Sequence, residues 1–368
     1  MIDYTKPLKH HYRPKKGWLN DPNGLVYYKG YYHIFYQHSP NFERPWHEFM
    51  HWGHARTKDF IEWEELPVAL TPGEDGYDQK GCWSGTAIVK DDVLYLFYAS
   101  IDRGGNPLKQ TISVAYSEDG INFTKYHGNP VIGEYPKEGS FDFRDPAVCC
   151  INGQYYCVVA SGNPEDKAGR LLLYKSENMF DWDYLGVMSE WADCKFTECP
   201  SFMEAEAGYY LLTASVCPLE SEHYFAVMYG DFKDDKFTPK YVAEVDKGPD
   251  QYAGQVFRDD KGRNILITWI PGWKYDKWFD KNVGCMSVPR EMKLIDGKVY
   301  GYPVEEVQHL LKDEDESVKR TPTGFIVERQ RRDPFVYEGK IDDLKIIRDE
   351  CILEVFVNGG QEIFSILL

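Results

Sequence analysis

No apolar run in the 368-residue chain approaches the ~20 residues that cross a bilayer as a helix. The opening stretch, MIDYTKPLKHHYRPKKG, lacks the apolar centre of a secretory signal, so a cytoplasmic address is the expectation. Basic residues are in deficit. Against 59 Asp and Glu stand 42 Lys and Arg, and the formal net charge of −17 repels phosphate backbones and anionic lipid, which argues against nucleic acid or membrane partners. There is no Gly-rich loop of the kind that cradles phosphates or a dinucleotide. The nine cysteines are scattered without paired metal-ligand spacing, as expected of free thiols in a reducing compartment. A compact acidic loop for calcium is also missing. His47, His51 and His54 fall on a strand pattern without matching Cys or Glu, so neither a metal nor a cofactor is expected.

What the chain has in excess is aromatic residues, 15% of the total with 27 Tyr and 10 Trp, together with recurrent Gly and Pro. That composition favours short strands and turns over helices. A module of roughly 55 to 60 residues recurs five times, within the period range of propeller blades. Its hairpins are LVYYKGYYHIFYQ, GTAIVKDDVLYLFYA, AVCCINGQYYCVVA, SFMEAEAGYYLLTA and QVFRDDKGRNILITWI. A third strand follows each, and in four copies a turn with an acidic or amide residue and an aromatic comes next, as in SVAYSEDGINF. The predicted fold is all-β: a five-bladed β-propeller over residues 1–302, followed over 303–368 by a short linker and an abbreviated C-terminal β-sheet unit, a reduced β-sandwich. A pair of sandwiches is the weaker alternative. The terminal FSILL is apolar with no obvious cover, which predicts either packing on the propeller wall or a homodimer through this unit.

Each hairpin opens with a short triplet: Asn20-Asp21-Pro22, Trp83-Ser84-Gly85, Arg144-Asp145-Pro146, Glu198-Cys199-Pro200 and Tyr252-Ala253-Gly254. If the first strand of every blade lines the channel, these triplets ring one end of it. Asp21, Asp145 and Glu198 then converge although some 180 residues separate the first from the last. Alone, each has an ordinary explanation as a turn initiator, an arginine's partner or a strand-end charge. Three together repel one another, so at least one is expected to hold a proton near neutrality. A protonated acid beside an ionised carboxylate is the equipment of glycoside hydrolysis.

At this point the ordered boxes WLNDPNG (18–24), FYQ (35–37), HWGHA (51–55), CWSGTA (82–87), FRDP (143–146), ECP (198–200) and VPRE (288–291) resemble those of glycoside hydrolase family 32. The family comprises invertases, sucrose-6-phosphate hydrolases and fructan hydrolases, and LEVFVNGG (353–360) is similar to a strand of its C-terminal sandwich. The resemblance implies Asp21 as nucleophile, Glu198 as general acid/base and Asp145 as transition-state stabiliser. It implies that Asn20, Gln37, Trp46, Trp83, Ser84 and Arg144 line the fructosyl subsite, with Cys199 tuning the acid and Tyr252 and Trp273 nearby. The chain departs from the pattern at Trp46-His47, where the family usually reads Trp-Gly, and in its short C-terminal unit. The implied activity is that of a retaining β-fructofuranosidase acting on a small carbohydrate without a cofactor. A fructosyltransferase or an idle fructoside-binding protein are the alternatives.

Overall fold

A computed structural model describes residues 2–4, 6–41, 49–74, 76–102, 107–273 and 282–368. All its sheet pairings are antiparallel. Apart from short 3-10 turns, the regular structure of the described residues is entirely strand. Five sheets follow in chain order, each begun by a strand that carries one of the triplets: Trp18–Tyr28, Gly81–Lys90, Phe143–Ile151, Cys194–Glu204 and Tyr252–Arg258. Within a sheet the strands are laid down in sequence order, as short connections dictate. The hairpin turns read from the sequence are present: Lys29-Gly30, Asp91-Asp92 and Asn152-Gly153 all have positive φ, the backbone that matches the twist of the strands they join.

The polar turns closing the units repeat at atomic level. Thr57, Ser117 and Ser176 accept from the backbone N–H three residues on, while Asp59, Asp119 and Asn178 each accept two backbone N–H groups. These three aligned side-chain bonds per turn explain why a hydroxyl and an acid or amide recur there. The first strands contact one another in a cycle, the last of them returning to Trp18–Tyr28, so the five sheets stand round a common centre.

The linker begins with a 3-10 helix, Glu305–Leu310. Beyond it lie two three-stranded sheets, Val318–Thr321 with Gly324–Val327 and Phe335–Glu338, and Leu344–Asp349 with Ile352–Val357 and Glu362–Leu367. They share one apolar core that includes Phe325, Val327, Val355, Phe364 and Ile366. Six short strands thus suffice for two sheets round one core. The apolar terminus is buried within its own chain, with Phe364 and Leu367 each 2% exposed and the Leu368 carbonyl bonded by the Tyr4 hydroxyl.

A buried ionic cluster fastens this unit to the fifth sheet. Arg290, fully buried, bonds Asp246 at 2.6 Å, Glu354 at 2.6 Å and Ser365 at 2.7 Å, while His11 bridges Asp349 at 3.0 Å and Glu354 at 2.8 Å. Removing one member of such a buried pair typically costs about 3–5 kcal/mol, because a desolvated charge is left alone. Arg290 of the VPRE box is thus a fastening in this chain.

Candidate active site

Every first strand carries a one-residue bulge at its triplet. Leu19 and Pro22 pair with His38 and Tyr36, Cys82 and Gly85 with Ser100 and Tyr98, Arg144 and Ala147 with Ala160 and Val158, Glu198 and Ser201 with Ser215 and Thr213, and Tyr252 and Gln255 with Trp269 and Ile267. A bulge breaks the alternation of side chains and re-aims them. Its register also corrects the alignment drawn from sequence. The equivalent residues are Leu19, Cys82, Arg144, Glu198 and Tyr252, so Glu198 stands first, Asp145 second and Asp21 third in their bulges. The second position has positive φ at Asp145, Cys199 and Ala253. Left-handed backbone in residues with a Cβ is strained and recurs at functional sites.

The bulges bring the three acids to one cavity of about 540 Å³, lined among others by Asn20, Asp21, Gln37, Trp83, Ser84, Arg144, Asp145, Glu198, Tyr252 and Trp273. Asp21 accepts from Ser84 Oγ at 2.7 Å and from Asn20 Nδ2 at 3.0 Å, and Asn20 is itself held by the Trp18 indole N–H at 2.7 Å. Arg144 donates to Glu198 Oε1 at 3.0 Å and to Asp142 at 2.6 Å, its guanidinium lying 4.7 Å from the centre of the Phe196 ring. The other oxygen of Glu198 accepts from the Tyr252 hydroxyl. Cys199 knits the acids together: its backbone N–H donates to Asp145 Oδ2 at 2.9 Å, and its Sγ lies 3.7 Å from Asp21 and 3.6 Å from Asp145. Gln37 donates to the Cys82 carbonyl at 3.0 Å, and Trp273 packs edge-on against Trp269. Trp46, the remaining expected residue, lies outside the described residues.

Burial, then the charge of Glu198, push Asp21 up to about 6 against the bonds from Ser84 and Asn20. The same two causes push Asp145 up to about 7, partly offset by Arg144. The cluster therefore takes up a proton close to neutrality, as a shared property of the acids. Burial also raises the Cys199 thiol, which makes it a neutral donor between two carboxylates.

Sequence reasoning missed Gln110 and Asp142, which orient Arg144, and Cys217, whose thiol meets the Tyr252 hydroxyl at 3.1 Å. Asp142 precedes Arg144 by two residues, a readable spacing. Gln110 and Cys217 come from other strands and have no local signal. No group of His, Cys, Asp and Glu among the described residues could hold a metal; His54 instead meets His33 at 2.9 Å.

A profile described as glycosyl hydrolases family 32 N-terminal domain matches residues 11–303. The chain belongs to this family. It is accordingly a glycoside hydrolase. The chain is 34% identical to a sucrose-6-phosphate hydrolase of Zymomonas mobilis over 92% of its length, and 35% identical to a raffinose invertase of Escherichia coli over 82%. It spans about two thirds of these family members, 69% and 65% respectively. The solved GH32 beta-fructofuranosidase of Bombyx mori superposes with a TM-score of 0.84 at 29% identity, covering 100% of this chain and 90% of that one.

Proposed function

We propose that the protein is a retaining β-fructofuranosidase acting on terminal β-D-fructofuranosyl linkages of sucrose, sucrose 6-phosphate or short fructans. The observation that carries this reading is the convergence of Asp21, Asp145 and Glu198 on one cavity with Arg144 between the last two. Residues 1–302 form a five-bladed β-propeller with this site at one end of its channel, and 303–368 form a linker and a reduced β-sandwich; the cyclic contacts of the first strands support that reading.

In the reaction Glu198 gives a proton to the glycosidic oxygen while Asp21 attacks the fructosyl anomeric carbon, and the leaving sugar departs with that proton. A covalent fructosyl–Asp21 ester results. Water, deprotonated by Glu198, then displaces Asp21 and restores both groups. Asp145 holds ring hydroxyls, and Arg144 orients Glu198 and offsets the charge of the cluster as the oxocarbenium-like state develops. Asn20 and Ser84 aim Asp21. Gln37, Trp83 and Trp273 form the walls of the fructosyl subsite, while Cys199 and Tyr252 fix the acids.

A cytoplasmic address is supported by the nine cysteines, all free. No helix among the described residues is long and apolar enough to cross a membrane. Hydrolysis assays with the purified protein on sucrose, sucrose 6-phosphate, kestose and inulin test the reading: fructose release is expected, and binding without turnover of any of them would refute it.

A further inference from the structure

The roles above leave one wall of the cavity without a task. In the strand Cys194–Glu204, Cys194 pairs with Pro218 and Phe196 with Cys217, so Lys195 is an extra, unpaired residue. It is a second bulge three residues before Glu198. The Cys194 thiol closes it, donating to the carbonyls of Phe196 at 3.1 Å and Cys217 at 3.2 Å. From the other side the neighbouring sheet presses close, and a Cβ on Gly162 would collide with the Lys195 carbonyl. The backbone beneath Lys195 is therefore pinned on both sides while its exposed side chain lines the cavity. Bulges next to active sites commonly serve to re-aim a side chain in this way.

The charges of the cavity show what such a lysine is good for. Among the described residues five carboxylates line it, Asp21, Asp142, Asp145, Glu198 and Glu222, against the two cations Arg144 and Lys195. Arg144 is committed to Asp142 and Glu198. Lys195 has no carboxylate within ion-pair distance among the described residues. A neutral sugar needs only hydroxyl partners, such as Ser221 on the same wall. A dianion, by contrast, enters this acidic site only if a free cation meets it.

We propose that Lys195 grips the phosphate of a 6-phosphorylated leaving sugar, so that sucrose 6-phosphate is the preferred substrate. This deepens the fructofuranosidase reading and rests on it. The assignment concerns Lys195 as a substrate-binding residue on the leaving-group side, apart from the groups that perform the chemistry.

The test compares kcat/KM for sucrose and sucrose 6-phosphate in the wild type, Lys195→Met and Lys195→Arg. A charge-assisted bond lost at the phosphate is expected to lower kcat/KM for sucrose 6-phosphate by roughly 10–100-fold in Lys195→Met, mainly through KM. Sucrose turnover should stay within about twofold, and Lys195→Arg should retain most of the discrimination. Inhibition by glucose 6-phosphate gives an independent reading: it should exceed inhibition by glucose in the wild type and lose that margin in Lys195→Met. Equal loss on both substrates, an unchanged rate on sucrose 6-phosphate, or a wild type that prefers sucrose would overturn the proposal. A wild type that cleaves neither sugar would instead overturn the fructofuranosidase reading beneath it, and this proposal with it.

Discussion

Ser84→Ala removes the shorter of the two side-chain bonds to Asp21, the 2.7 Å contact from Ser84 Oγ, and leaves the Asn20 bond in place. Both bonds favour the ionised carboxylate and oppose the burial and the Glu198 charge that hold Asp21 at about 6. A hydrogen bond to a charged group is worth about 1.5–3 kcal/mol, and one pKa unit corresponds to about 1.4 kcal/mol, so the Asp21 ionisation should rise by about 1 to 2 units. The sign follows from the chemistry: a nucleophile must be ionised, so a higher pKa removes activity from the acid side. The pH profile of kcat/KM is the assay. In the wild type its acid limb should lie near 6 to 7, since Asp21 and Asp145 titrate as a cluster. In Ser84→Ala that limb should move up by about 1 to 2 units with rates converging at high pH, and Ser84→Thr, which keeps the hydroxyl, should bring it back. A parallel drop at every pH with an unmoved limb would refute the reasoning and make Ser84 a substrate contact instead.

Glu198→Gln keeps the shape of the acid but has no proton to give, so roughly 10²–10⁴-fold should be lost on substrates with poor leaving groups and much less on an activated aryl fructoside; equal losses on both would remove Glu198 from the acid role. His11, buried between Asp349 and Glu354, is raised to about 9 in the fold. Its stabilisation is complete below the unfolded value near 6.5 and is lost as pH rises from there through 9, so denaturant midpoints should fall across that window and the fall should flatten in His11→Gln. Because Phe364 to Leu368 are buried in their own chain, light scattering should return the mass of one chain at all concentrations, and deleting those five residues should lower the melting temperature sharply.

Much of this architecture is legible in the sequence because its signals are local. Lys29-Gly30 and Asn152-Gly153 announce hairpins, and Asp59, Asp119 and Asn178 announce the turns that end the units. The acids were findable for the same reason, each sitting just before a strand of regular period. Register was less so. A bulge adds one residue without changing composition, so the triplets set Asp21 and Glu198 one position apart although two positions separate them within their bulges. The orienting partners Gln110 and Cys217 stand far from the acids in sequence and meet them only once sheets are juxtaposed. The packing of the C-terminal unit is less legible: its core depends on Phe325 facing Phe364 across two sheets, a long-range pairing that no local pattern encodes.

The central claim is a double displacement in which Asp21 carries the fructosyl group. Two inversions at the anomeric carbon amount to retention, whereas direct attack by water would invert it. Proton and carbon NMR of the fructose released from sucrose or sucrose 6-phosphate, recorded before mutarotation, reads the outcome directly. The account predicts β-D-fructofuranose as the first-formed anomer, and initial release of the α-anomer would contradict it.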